Sequence, residues 1–160
     1  MRIGVISDTH GLLRPEALAA LAGVGPEGDP SVDHILHGGD IGRQQIVEEL
    51  GRIAPVTAIR GNVDTAPWCA RFPETFDLDL GGLRIHMRHD RKSLDFDPSA
   101  RGIDVVISGH SHKPLIETVD HVLYLNPGAA GPRRFKLPIT LAFLYLGQGA
   151  PRADLVSLLD

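Results

Sequence analysis

The sequence predicts an α/β sandwich of two β-sheets packed face to face with helices outside. Three observations carry that prediction. The first half alternates strand and helix patterns in the order βαβαβ, as parallel strands joined by crossover helices do. The second half is mostly strand pairs separated by short turns, which reads as antiparallel. Finally, five strand segments run into side chains able to bind metal, and open α/β sheets bind ligands beyond the carboxyl ends of their strands.

The elements follow in order. Residues 2–7 are a strand, and Pro15 opens a helix over 15–22 with Leu18 and Leu21 on one face. A Gly- and Pro-rich loop spans 23–31, ahead of a strand over 34–37. A second helix covers 44–51, burying Ile46, Val47 and Leu50, and a strand follows over 55–59. Residues 75–80 alternate at period two, then Gly81-Gly82 turns the chain into 83–87, making a hairpin. The polar stretch 91–101 has room for one short helix, and 104–108 is a compact buried strand. A hairpin of 115–118 and 122–125 turns around Val119-Asp120-His121, and strands over 139–146 and 153–158 finish the chain.

Composition narrows the class. A chain of 160 residues is long enough for one buried core and too short for two, so 1–160 is expected to be a single domain. The apolar share of 42% and charged share of 22% are those of a water-soluble globular protein. No apolar run approaches the ~18 residues of a membrane span. With a strand opening the chain, no signal or transit peptide is expected. The one cysteine, Cys69, fits a reducing compartment, so a cytoplasmic location is the expectation. A net charge of −4 disfavours a protein that coats nucleic acid, leaving nucleic acid a partner only as a nucleotide substrate. A homo-oligomer stays open: Trp68 and Phe72, flanking Cys69, suit either a cleft wall or a dimer contact.

The candidate ligands are Asp8 and His10 after the first strand, Asp40 after the second and Asn62 after the third. His89, His110 and His112 follow the later strands. Singly, most have an ordinary explanation. Asp8-Thr9-His10, Gly39-Asp40 and Gly61-Asn62 all read equally as caps or turns. Two histidines one residue apart, His110 and His112, are harder to explain by packing. Jointly the pieces converge on one rim, and such a set of oxygens and imidazoles is a metal site, with enough donors for two ions.

The same pieces, with Asn126-Pro127-Gly128 and Pro132-Arg133 behind them, resemble the calcineurin-like metallophosphoesterase superfamily. The match is to its small bacterial and archaeal phosphodiesterase branch, and it extends over essentially the whole chain. The resemblance implies a four-layer sandwich of two mixed sheets flanked by helices. It also implies two divalent ions, Mn²⁺ first and Ni²⁺, Fe²⁺, Co²⁺, Zn²⁺ or Mg²⁺ as alternatives. One would take Asp8, His10, Asp40 and His112; the other would take the shared Asp40 with Asn62, His89 and His110. Two dications ~4 Å apart repel by roughly 15–20 kcal/mol even at an effective dielectric near 20, so anionic bridges are required. The implied activity is hydrolysis of a small phosphate ester, a diester rather than a monoester, by a water ionised between the cations. His10, Asn62 and Asp64 are the residues expected to serve catalysis. A non-catalytic scaffold is the alternative, since the superfamily includes vacuolar sorting protein 29.

Two departures stand out. Many relatives have a histidine after Gly-Asn that protonates the leaving group, whereas this chain has Val63, which carries no proton; the small bacterial branch commonly lacks the histidine too. Asp64 is then expected either to orient His10 or to stabilise its turn. Relatives usually read Thr-His-Gly where this chain reads Arg88-His89-Asp90. Asp90 is expected to crowd the backbone or bring an extra carboxylate, and His86 competes with His89 as the ligand. Ser7 and Ser111 read as packing residues, His37 as a buried core histidine or a proton donor, and Arg133-Arg134 as a solvated pair or a phosphate contact.

Overall fold

The computed structural model describes residues 1–24, 30–147 and 149–159. Its described strands form two mixed sheets of five. In the first, β1 (Arg2–Ile6), β2 (His34–His37) and β3 (Val56–Ala58) run parallel, with Ile6 opposite His37 and His37 opposite Ala58. β9 (Thr140–Tyr145) lies antiparallel to β1, and β10 (Arg152–Ser157) forms the far edge. The second sheet has β5 (Leu83–Arg88), β6 (Val105–Ile107) and β8 (Val122–Asn126) parallel at its centre. The antiparallel edges are β4 (Thr75–Leu80) and β7 (Leu115–Val119).

The antiparallel expectation for the second half holds for the pairs β4–β5, β7–β8 and β9–β10, while β5, β6 and β8 pair parallel. All three residues of β6 are buried, as parallel central strands covered on both faces require. The last two strands also return to the first sheet instead of extending the second.

The inner faces of the two sheets share one core, including Ile3, Val5 and Leu144 from the first and Ile85, Met87 and Ile107 from the second. The outer face of the first sheet is covered by α1 (Pro15–Ala22) and α2 (Gln44–Leu50). α1 starts on a proline and ends on Gly23 in the left-handed conformation, whose N–H closes on the last turn. Eight residues do not hold a helix in water; burial of Ala17 and Leu21 does. The loop expected over 23–31 includes 25–29, which lie outside the described residues.

The fourth layer is thinner than expected. Residues 91–101 form two 3-10 turns, Arg91–Ser93 and Ser99–Arg101, instead of a helix. The outer face of the second sheet is closed by Phe96 and Tyr124 packed on Ile103, Val106 and Val122, with the Arg101 guanidinium 3.9 Å above the Phe96 ring. Both hairpins turn through two left-handed residues, Gly81-Gly82 and Asp120-His121, which matches the right-handed strand twist. No helix of the described residues is long and apolar enough to cross a membrane.

Gly4 shows how closely α1 sits on β1. A Cβ there would overlap Leu21 Cδ2 and lie 3.4 Å from Val32 Cγ1. Gly4→Ala is expected to cost about 1–3 kcal/mol by overpacking, read as a lower denaturant midpoint. A change within about 0.5 kcal/mol would mean that α1 shifts freely on the sheet.

Candidate metal centre

Each candidate ligand leaves the carboxyl end of a strand. The loops after β1 and β2 continue the ladder of their strands: Asp8 N–H bonds to the Gly39 carbonyl at 3.0 Å and His10 N–H to that of Asp40 at 2.9 Å. Across the other sheet, Gly109 N–H bonds to the His89 carbonyl at 2.9 Å. Two bonds then tie the sheets together at the rim. His110 N–H donates to Asp8 Oδ2 at 3.0 Å, and His89 Nδ1 donates to the Gly38 carbonyl at 2.7 Å. The backbone is bent hard to do this. Asp8, His10, Asp40, His110 and His112 all have positive φ, between 45° and 70°, a region that costs a side-chain-bearing residue about 1 kcal/mol or more.

The result is two donor groups, Asp8 with His10 and His112, and Asp40 with His89 and His110. Asp40 Oδ2 lies between them, 3.4 Å from His10 Nε2 and 3.1 Å from His89 Nε2. Asp8 Oδ1 faces three imidazoles: His112 Nε2 at 3.4 Å, and His10 Nε2 and His89 Nε2 each at 3.7 Å. Asp8 Oδ1, His10 Nε2, His89 Nε2 and His112 Nδ1 are buried with no hydrogen-bond partner. An unpaired buried polar atom costs ~1–3 kcal/mol, so three of them facing one another, Asp8 Oδ1 with His10 Nε2 and His89 Nε2, fit divalent metal ions. The donors are carboxylate and imidazole without thiolate, which suits first-row divalent ions. Asn62 stands exposed in the cleft beside this cluster, together with His89 and His110.

The supporting residues explain how the ligands are held. Ser7 Oγ donates to Asp8 Oδ2 at 2.8 Å, aiming Oδ1 at the imidazoles; it positions a ligand and is not mere packing. Val63 N–H donates to Asp40 Oδ1 at 3.1 Å, leaving Oδ2 for the shared position. The Nδ1–H bond of His89 to Gly38 fixes its tautomer with Nε2 bare. Asn126 donates from its amide to the Gly109 carbonyl at 2.9 Å and to Ser111 Oγ at 3.1 Å, while its carbonyl accepts from Gly128 N–H. The Asn-Pro-Gly motif thus pins the loop carrying His110 and His112. The loops also pack without room for side chains. A Cβ on Gly109 would collide with Ser7 Oγ, and one on Gly61 with Asp40 Oδ1.

Several sequence expectations are corrected. Of the two roles expected for Asp64, orienting His10 is not seen and stabilising its own turn is, through the Gly61 N–H. The Asp64 carboxylate accepts the N–H groups of Ile41, Gly42 and Gly61 at 3.1, 3.1 and 2.8 Å, clamping the second and third ligand loops together. His86 is not a rival ligand: it bonds to Asp77 and accepts from Arg88 Nε. Asp90 does not crowd the backbone, which is extended there. Its Oδ1 caps Lys92 N–H, and Oδ2 lies 4.0 Å from His110 Nε2. Trp68 and Phe72 line no cleft at the site; they meet edge to face at 6.2 Å over the core beneath the helices. Arg133 and Arg134 are exposed.

His37 is a buried framework residue and no proton donor to the site. Its Nδ1 accepts from Gly39 N–H at 3.1 Å, so Nε2 carries the proton and meets Thr9 Oγ at 3.0 Å. Thr9 Oγ donates onward to the Ile41 carbonyl. Both ring nitrogens are satisfied only in the neutral form, and burial pushes the His37 pKa down to about 4. Burial alone would raise the Asp8 carboxyl, yet the imidazoles of His10, His112 and His89 and the Ser7 hydroxyl hold it well below the usual range. Burial likewise lowers His89, but neighbouring Asp40, Asp8 and the Gly38 carbonyl outweigh it and raise its pKa.

The sign of the His37 effect follows from linkage. Between pH 6.5 and about 4 the unfolded chain takes up this proton and the folded chain refuses it, so His37 makes stability fall as pH drops through that window. The loss is about 3 kcal/mol when complete. His89, with its raised pKa, acts in the opposite direction. Melting temperatures measured from pH 7 to 4 should therefore fall less steeply in His37→Leu than in the wild type; equal slopes would remove His37 from the acid response.

Comparison with known proteins agrees with this geometry. Residues 1–149 match the family model described as the calcineurin-like phosphoesterase superfamily domain. A probable metallophosphoesterase of Methanothermobacter thermautotrophicus is 32% identical over 154 residues, covering 92% of this chain and 88% of that protein. The solved structure of an archaeal phosphodiesterase superposes with a TM-score of 0.77 at 25% identity, over 98% of this chain and 100% of its own. Zinc-bound Vps29 of Entamoeba histolytica has the same fold, with a TM-score of 0.73 at 21% identity over 99% of this chain and 100% of its own. With two sheets whose strand ends gather the family's aspartates and histidines, the chain belongs to the calcineurin-like phosphoesterase superfamily.

Proposed function

We propose that the protein is a divalent-metal-dependent phosphodiesterase with a dinuclear centre. The observation that carries this reading is Asp40 Oδ2, standing between the two donor groups within 3.4 Å of His10 Nε2 and 3.1 Å of His89 Nε2. Asp8, His10, Asp40 and His112 would hold one ion, and Asp40, Asn62, His89 and His110 the other. Bound there, the ions would supply a water acidified to near neutrality and positive charge for the phosphoryl oxygens. We favour Mn²⁺; the zinc in the Vps29 structure keeps Zn²⁺ open.

The chain's own groups divide the remaining work. Buried Asp8, with Oδ2 saturated by Ser7 and the His110 N–H, keeps Oδ1 as a fixed anion. Asn62 and His110 reach the surface of a cleft of about 340 Å³ where a phosphate ester can enter. Val63 is 46% exposed where many relatives carry their acid histidine, so a proton for the departing oxygen has no protein source at that position. Esters with good leaving groups, and diesters with one charge to approach the carboxylates, are the substrates this arrangement serves. The archaeal phosphodiesterase of the same fold supports that preference.

Asp40→Asn is expected to lower turnover at least about 100-fold and to reduce the bound metal at both positions, measured by elemental analysis. Full occupancy or retained activity would refute the bridge. Chelation should abolish hydrolysis reversibly, and the metal-restored enzyme should cleave an aryl phosphodiester faster than an alkyl phosphomonoester. The reverse ranking would reveal a general acid elsewhere. Absence of turnover with every divalent ion would favour the non-catalytic scaffold of this fold.

A further inference from the structure

Arg88 is buried, with 9% of its surface exposed, in the wall of the cleft that also holds Asn62, His89 and His110. Among the described residues no carboxylate lies within ion-pairing distance of its guanidinium, whereas Arg60 across the same cleft is paired with Glu74 at 3.5 Å. Burying an unpaired cation is costly, so such groups normally have a counter-ion. The guanidinium is also held in place. Its Nε donates to His86 Nε2 at 3.0 Å and Nη1 to Ser93 Oγ at 3.0 Å, and His86 is in turn gripped by Asp77. Ser93 belongs to the same cleft wall and is fixed by the Asp90 carbonyl at 2.7 Å. The Arg88 Cζ lies 5.5 Å from the Phe96 ring centroid, and the side chain stands between the cleft and a neighbouring groove lined by Asp77 and Phe96, while Nη2 makes no hydrogen bond among the described residues. The other acid of the cleft, Asp90, spends Oδ1 on Lys92 N–H and turns Oδ2 toward His110.

We propose that Arg88 is a specificity residue for a second anionic group on the substrate, a phosphoryl or carboxylate beyond the ester being cleaved. A guanidinium oriented by fixed neighbours and short of a counter-ion presents its donors to tetrahedral or planar oxyanions with little further ordering. Arg88, His89 and His110 line one cleft, so a single molecule lying in it can meet both the guanidinium and the ligands. The substrate class is therefore a phosphodiester with an additional negative charge, such as a nucleotide ester bearing a second phosphate.

The proposal rests on the phosphodiesterase reading, and the test separates the two. With metal restored, turnover of thymidine 5′-(4-nitrophenyl phosphate) is compared with that of its 3′-phosphorylated counterpart. In Arg88→Gln the ratio of kcat/KM for the 3′-phosphorylated ester over the ester without that phosphate should fall about tenfold, through KM. Ser93→Ala, which frees Nη1 but keeps the charge, should move the ratio the same way by less. Metal-stripped protein, titrated calorimetrically with inorganic pyrophosphate, should bind about tenfold more weakly in Arg88→Gln, with Arg88→Lys between it and the wild type. An unchanged ratio in both variants, or equal pyrophosphate affinity in wild type and variants, would overturn the proposal. If no ester is turned over by the wild type, the phosphodiesterase reading fails, while the calorimetric comparison still decides for or against the anion site.

Discussion

Two carboxylates and several imidazoles meet at the rim of this sandwich with their inward-facing atoms unpaired, and the rest of the structure is arranged around that cost. Asp8 is fully buried and Asp40 nearly so. Carboxylates in so little water are tolerable only when hydrogen bonds and positive charge compensate for lost hydration. Asp8 has Oδ2 held by Ser7 and the His110 N–H and Oδ1 without a hydrogen bond, and Asp40 has Oδ1 held by the Val63 N–H with Oδ2 turned to the imidazoles. That asymmetry distinguishes a ligand site from an ordinary buried ion pair, in which both oxygens would find partners.

Holding such a cluster requires rigidity from both sheets at once. The first supplies Asp8, His10 and Asp40, and the second supplies His89, His110 and His112; neither sheet completes a donor group alone. Three side chains outside the ligand groups fix the loops by bonding to backbone, His37, Asp64 and Asn126, while Ser7 spends its one proton on Asp8. Left-handed backbone at five ligand positions is the visible cost of that convergence. Donors gathered from both sheets also link metal binding to folding, because the unfolded chain cannot assemble them.

The departures from family pattern are local and leave the ligand groups intact. Asp90 is absorbed by capping a 3-10 turn, and Val63 keeps the backbone N–H that its loop needs to hold Asp40. What changes is the cleft surface. Arg88, buried one residue before the candidate ligand His89, belongs to that surface, and half-exposed Val63 directly follows Asn62, which lines it.

Most of this protein was legible in its sequence because the signals are local. Period-two runs and Gly-Gly located strands and a hairpin, Pro15 and Gly23 bounded a helix, and the Asp, Asn and His residues sat at strand ends, where a sheet must deliver them. The partnering of strands was decided only in three dimensions. Whether β9 joins the first sheet or the second depends on which exposed apolar face it covers, and no stretch of 139–146 records that choice. The difference between His86 and His89 was equally tertiary: three residues apart at a strand end, they are separated by which face meets Gly38 and Asp40 and which meets Asp77. Asp64 likewise revealed its role only when its oxygens met N–H groups more than twenty residues away. The sequence determined which donors exist and where each strand releases them. Only the packing of one sheet on the other decided which of their atoms face one another without a partner, because that depends on distances between segments that share no local pattern.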